Sequence, residues 1–308
     1  MSGVLAGFTV IFVVVFIGYV VARTGVLGES GGLVLGRMVF FVATPALLFD
    51  TLARADLSVI FSPTLAITAV GALLVGALYL VIALTITKRT VPEATIGALA
   101  ASYVNAANLG IPIAVYVLGD ASFVAPLLLF QIMIYSPLAL TILDVSTSSR
   151  GTSLVGVVAA PFTNPIVLAG LAGLALAVTG LSLPDPVMQP FALLGGASVP
   201  GALLAFGMSL QGVRVLERGA GPRRDVALAT FLKMAVLPVL TYVLARWVWR
   251  IDGHDLFAVV VIAALPTAQN VFIYATRYGR GTVLARDTAF VTTLVSVPVI
   301  ALVAALLA

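Results

Sequence analysis

Cysteine is absent from the 308 residues, which excludes disulfides and thiolate metal sites. A single histidine, His254, is too few for a zinc centre or a histidine proton relay. Charged residues make up only 9% of the chain, where soluble domains carry roughly 25%. So few charges cannot cover a globular surface. The formal net charge of +4 is spread thinly, with no basic cluster dense enough for nucleic acid, and is better matched to lipid headgroups and topology. Enzymatic motifs are missing too. There is no His-Glu-x-x-His, no serine nucleophile elbow with a base, and no phosphate-cradling glycine-rich loop. The sequence argues against an enzyme and implies no cofactor or metal.

What remains is hydrophobic: 61% of the residues, with a mean hydropathy of +1.19. A span needs about 20 apolar residues. Ten segments qualify: 4–22, 32–53, 63–87, 93–118, 122–144, 164–181, 187–210, 226–248, 255–277 and 283–306. The first is apolar for too long to be a signal peptide, and no Lys or Arg precedes it. The longest interruption, near 144–163, holds Asp144, Arg150, Pro161 and Pro165 in an amphipathic stretch expected to lie along the membrane surface. Odd-numbered loops collect Arg23, Arg37, Lys88, Arg89, Arg150, Arg214, Arg218, Arg223, Arg224, Arg277, Arg280 and Arg286. Even-numbered loops hold Arg54, Arg246 and Arg250. The positive-inside rule then places both termini outside the cytoplasm.

The two halves of the chain match in their interruptions. VATPALLFDTL around Pro45 in span 2 corresponds to ASVPGALLAFGMSL around Pro200 in span 7. Span 4 breaks at Asn105–Pro112 and span 9 at Pro266–Asn270, while spans 5 and 10 carry Pro137 and Pro298. Five spans per half is odd, so the second half must enter the membrane in the opposite sense. Inverted repeats with interrupted helices at corresponding positions are the sequence signature of secondary transporters. The predicted division is 1–150 for the first five-helix repeat and 151–308 for the second.

Backbone freed inside a bilayer must be satisfied again or meet water. The first break offers the amides of Asn105 and Asn108, with Gly110 for a turn or close approach and Pro112 to remove a donor. The second offers Pro266, Gln269 and Asn270. Half-helix N-termini at such a crossing favour an anion, and the amides can donate to a carboxylate or accept from a hydroxyl. Alternatively the amides cap free backbone groups. Neither break contains Asp, Glu, Lys or Arg, which disfavours cation antiport. Gln131, Tyr135, Thr292 and Thr293, on the spans that follow, are candidates to line the cavity. Two charges fall within or near spans. Asp50 lies toward the outer end of span 2, close to Arg54, and Lys233 lies about two turns into span 8. Both are candidate coupling residues by the rule that intramembrane charges are functional; for Lys233 the alternative is snorkelling to the cytoplasmic interface.

These stretches resemble the auxin efflux carrier family in its bacterial branch of short permeases. VNAANLGIPIAVYVLGD carries the family's Asn-x4-Gly-x-Pro pattern at Asn105, Gly110 and Pro112. TNPIVLAGLAGLALAVTG carries its Asn-Pro entry at Asn164 and Pro165, and SVPGALLAFGMSL and LPTAQNVFIYATRYG complete the set. The resemblance implies an all-α polytopic membrane protein with ten transmembrane helices as two inverted repeats. Helices 4 and 9 would cross as broken helices, as in bile-acid sodium symporters. It implies scaffold and transport subdomains drawn from both repeats, an elevator movement, a homodimer in the plasma membrane, and small carboxylates as substrates, with Asn105 meeting the carboxylate. H+ or Na+ coupling is open. Two departures stand out: the long hydrophilic loop of the plant carriers is absent, and Gln269-Asn270 replaces their apolar residues and second proline. These point away from auxin toward a smaller or more polar substrate. A sodium-coupled organic anion symporter and a non-transporting membrane receptor or sensor are the competing readings.

Overall fold

The computed structural model describes residues 2–54, 63–147, 165–212 and 223–307. Of the expected surface stretch, Asp144 to Thr147 end α7, while 148–163, Asn164 and the loop arginines 150, 214 and 218 lie outside the described residues. Among those described the chain is helical, without a β-strand. In order the helices are α1 (Ser2–Thr24), α2 (Gly31–Ala53), α3 (Pro63–Thr85), α4 (Val91–Ser102), α5 (Ala106–Leu118), α6 (Ala121–Phe130), α7 (Ser136–Thr147), α8 (Pro165–Thr179), α9 (Asp185–Ser209), α10 (Arg223–Val248), α11 (Gly253–Ala263), α12 (Gln269–Tyr278) and α13 (Thr282–Leu307). Five of them, α2, α3, α9, α10 and α13, are long and apolar enough to cross a membrane. Shorter apolar helices account for much of the rest, and the protein is a multi-pass membrane protein.

Proline shapes several of these helices in the same way, although Pro190 and Pro298 stand inside α-helix without a π turn. It lacks an N–H and its ring crowds the carbonyl four residues back, which favours a loosened helical ladder before it. Four π turns do this: Val39–Ala43, Ala106–Gly110, Gln131–Tyr135 and Leu232–Val236. Each ends two residues before a proline, at Pro45, Pro112, Pro137 and Pro238. The residue between accepts the wider spacing; Ser136 N–H, for instance, donates to Gln131 O. Elsewhere polar side chains fix the ends. At the start of α4, Thr90 N–H donates to the Glu93 carboxylate at 3.2 Å, closing a capping box. Gly119, with φ +86°, ends α5 in the left-handed conformation.

The chain divides into two compact units. Unit 1 comprises Met1–Ser62, Ala107–Leu129 and Ala160–Val213. Here α1 packs along the second half of α9, and α8 along the second half of α2. Small residues make this possible: a Cβ on Gly207 would strike the Val15 carbonyl, and one on Gly173 would lie 2.6 Å from Phe49 O. Close backbone approach of this kind replaces the hydrophobic drive that lipid cannot supply. Between α2 and α9, the buried hydroxyls of Thr44 and Ser198 bond at 2.9 Å, one residue before Pro45 and two before Pro200.

Unit 2 comprises Pro63–Ala106, Phe130–Ala159 and Arg214–Ala308. Its centre is α4, buried along its length from Ala94 to Ser102 and packed on α3, α7, α10, α12 and α13. The ring of Tyr79 on α3 lies over Gly97, where a Cβ could not fit. At the loop end of α3, Arg89 reaches Asp225 at the head of α10 with an N–O distance of 2.6 Å, and the aspartate is almost fully buried.

Candidate functional site

In unit 2 two helices stop short of their apolar length. α4 ends at Ser102, where Tyr103 turns extended with φ −80° and ψ 114°, and helix resumes only at Ala106. α11 ends at Ala263, and α12 begins at Gln269. The unwound pieces pair side by side as an isolated antiparallel bridge between Val104 and Thr267. Asn105 N–H donates to Pro266 O at 2.8 Å, and Ala268 N–H donates to Tyr103 O at 3.0 Å. Two stranded donors and two stranded acceptors are satisfied at once, which a low-dielectric interior demands.

Side chains answer other groups freed by the breaks. Thr267 Oγ1 donates to Ala100 O at 2.5 Å, and Thr267 N–H donates to Thr292 Oγ1 at 3.1 Å. Thr292 in turn donates to Thr288 O at 2.7 Å, so one hydroxyl ties the crossing to α13. Gln131 Nε2 donates to Val104 O at 3.1 Å. Lys233 Nζ donates to Ala263 O at 2.9 Å, at the end of α11. Beside the crossing lies a buried group of hydroxyls and aromatic rings. Tyr103 OH and Ser136 Oγ are 2.7 Å apart, and Tyr274 OH donates to the same serine at 3.2 Å. Ser102 donates to Ala98 O, so at 2.5 Å Tyr135 OH is the donor to Ser102. The rings of Tyr103 and Tyr135 stack with centroids 5.7 Å apart.

The expected site residues are distributed unequally. Asn105 and Gln131 are buried, at 2% and 1% exposure, and both join the crossing with Pro266. Gln269 and Asn270 are half-buried at the first positions of α12. Asn108, Gly110 and Pro112 lie on α5, which belongs to unit 1 from Ala107 onward. Of the residues on following helices, Tyr135 and Thr292 sit against the crossing, whereas Thr293 turns back to Ala289 O on its own helix. Asp50 forms an i,i+4 ion pair with Arg54 at 2.9 Å, and the arginine side chain is 59% exposed. Lys233 does not snorkel: its side chain is fully buried. Thr267, Ser102, Tyr103, Ser136 and Tyr274 were not singled out from the sequence. Thr267 sits inside the quoted LPTAQN motif and Tyr103 just ahead of Asn105, so a hydroxyl next to each break was the available signal.

Chemically, among the described residues, no carboxylate or imidazole bonds to this crossing. It offers backbone amides, hydroxyls, the carboxamides of Asn105 and Gln131, and the start of α12, whose N-terminal dipole favours negative charge. Among the described residues Gln131 Oε1 accepts no hydrogen bond. Among the described residues no cluster of His, Asp or Glu could hold a metal ion.

A chain built this way, apolar throughout and unwound at a buried polar crossing, is of the class of membrane transporters. Comparison with known families agrees: a model described as membrane transport protein matches residues 5–155 and 152–304, and the chain belongs to that family. Among similar proteins, a Rhizobium meliloti protein named "Putative malonate transporter" is 29% identical over 293 residues, covering 93% of this chain and 90% of the relative. The Escherichia coli protein named "Uncharacterized transporter YfdV" is 26% identical over 276 residues, covering 87% and 86%. An "Uncharacterized transporter" of Methanothermobacter thermautotrophicus is 27% identical over 301 residues, covering 93% and 92%.

Proposed function

We propose that this protein is a secondary active transporter of small carboxylates, which bind at the crossing of the two unwound segments and pass by alternating access. The observation that carries the reading is the acid-free, buried bridge Val104–Thr267 with Asn105 at its edge. Polar backbone at membrane depth is tolerated where it is buried in protein or lines a cavity, and helix N-termini with amides beside them suit an anion better than a cation. The name of the Rhizobium relative, with its small dicarboxylate, is in keeping with this substrate class.

In this reading the carrier has ten spans as two inverted repeats, 1–150 and 151–308, with both termini outside a plasma membrane and two copies per assembly. The discontinuous units support the scaffold and transport division, since each collects segments from both halves of the chain. One unit would then move against the other as an elevator. Asn105 contacts the substrate carboxylate, with Gln131, Gln269 and Asn270 completing the polar set.

Flux decides the matter. Purified protein in proteoliposomes is expected to accumulate radiolabelled malonate or a related short dicarboxylate against protein-free vesicles, with imposed Na+ and H+ gradients as separate arms. Specific binding without flux would make the protein a receptor. Neither binding nor flux across a panel of carboxylates would contradict the substrate class.

A further inference from the structure

Lys233 is fully buried in the π turn Leu232–Val236 of α10. Its one bond among the described residues goes to Ala263 O, at the last residue of α11. That carbonyl is among those a helix end leaves without an intrahelical partner. The cation therefore sits on the negative end of a broken helix, where the dipole supplies about half a unit of compensating charge.

Among the described residues no side chain supplies the other half. Six elements surround the turn: α3, α4, α13, the two flanking stretches of α10, and α11 through Ala263. Their acids are Glu93, Asp225, Asp287 and Asp255; the first three are already engaged, and Asp255 is exposed in the first turn of α11, eight residues before Ala263. Glu93 closes the capping box with Thr90, Asp225 pairs with Arg89, and Asp287 pairs with Arg286 at 2.8 Å. Among the described residues Lys233 has no carboxylate partner. A buried ammonium that lacks a full counter-charge is unfavourable until one arrives. Ala263 precedes Pro266 by three residues, a separation the chain spans in at most about 11 Å. Over that distance inside protein, salt screens a charge poorly.

We infer that Lys233, carrying its proton when a dianion binds, makes the crossing select dianions over monoanions, held in place by Ala263 and acting through its field. The inference rests on the carboxylate-carrier reading and narrows it to substrates with two negative charges. It also gives a reason for a lysine at a depth where an uncharged donor could satisfy the same carbonyl.

The test uses two variants of the whole protein in proteoliposomes. Lys233→Met keeps the apolar stem, and Lys233→Gln keeps a donor for Ala263 O; neither keeps the charge. Uptake of labelled malonate is competed with unlabelled malonate and with its monomethyl ester, at a pH where every free carboxyl is ionised. The wild type is expected to prefer malonate, and both variants to lose about tenfold of that preference, the scale of one charge acting across protein. Turnover at saturation should change less than the preference. Uptake by the wild type with an unchanged preference ratio in the variants overturns the inference alone. Absence of wild-type uptake overturns the carrier reading and the inference together. Failure of both variants to give folded, monodisperse protein makes Lys233 a structural cap and also overturns it.

Discussion

The backbone N–H of Asn105 donates to the carbonyl oxygen of Pro266 at 2.8 Å, across 161 residues of sequence. The residue picked out as the first break's substrate ligand is thus bonded to the proline that opens the second. One peptide group satisfies what the other's interruption leaves without a helical partner.

Thr292 is expected to matter for stability through a single hydrogen bond. Its hydroxyl accepts from the buried Thr267 N–H, and Thr292→Val would strand that donor. An unsatisfied buried group costs about 1–3 kcal/mol. Thermal unfolding in detergent should show a clear loss for Thr292→Val and near-normal stability for Thr292→Ser. Equal stability of the valine variant would show that the bond is dispensable.

The glycine packing of unit 1 gives a paired prediction. Gly207→Ala puts a methyl against the Val15 carbonyl, so α1 must move away from α9; overpacking of this type costs about 1–3 kcal/mol. Gly36→Ala, where nothing lies within 4 Å, should be neutral or slightly stabilising because alanine favours helix. The two variants can be compared by unfolding temperature and yield of folded protein. Similar behaviour would contradict the close approach.

Tyr278 donates to the Asp144 carboxylate at 2.6 Å, one turn beyond the Tyr274–Ser136 bond, and so clips α12 to α7. The site is partly exposed, so Tyr278→Phe is expected to cost about 1 kcal/mol rather than the larger value of a buried charged bond. Asp50→Asn breaks only an exposed ion pair, and its stability should stay within about 0.5 kcal/mol. Uptake by Asp50→Asn should match the wild type. Loss of uptake there would make Asp50 a coupling residue.

Much of this was legible in the residues. Apolar run length marked where helices lie, and Pro266 with its adjacent amides marked the second interruption; at the first, the chain unwinds at Tyr103–Asn105 and is helical again through Pro112, so only Asn105 of the expected Asn105–Pro112 break is unwound. Pro45, Pro112 and Pro137 were noted as interruptions, but the π turns before them and before Pro238 depend on how the preceding carbonyls relax. What could not be read was the partner of each freed group. Thr267, Ser136 and Tyr274 are ordinary helix-compatible residues, and only folding places their hydroxyls on a crossing formed by segments 160 residues apart. The depth of Lys233 was likewise hidden: a long stem one or two turns from a span end can reach water or, as here, turn inward to Ala263. The assignment of Asn108, Gly110 and Pro112 to a different unit from Asn105 follows from packing, which a linear motif does not encode.

The central claim is that carboxylates pass at the crossing beside Asn105. Its most direct test is the uptake of labelled malonate by proteoliposomes carrying wild-type protein or Asn105→Ala, each shown to be folded by size-exclusion profile and unfolding temperature. Backbone pairing with Pro266 uses the main chain of residue 105 and survives the substitution, so stability should fall modestly while uptake drops to the protein-free background. Uptake at the wild-type rate in folded Asn105→Ala protein would contradict the account and move the substrate elsewhere.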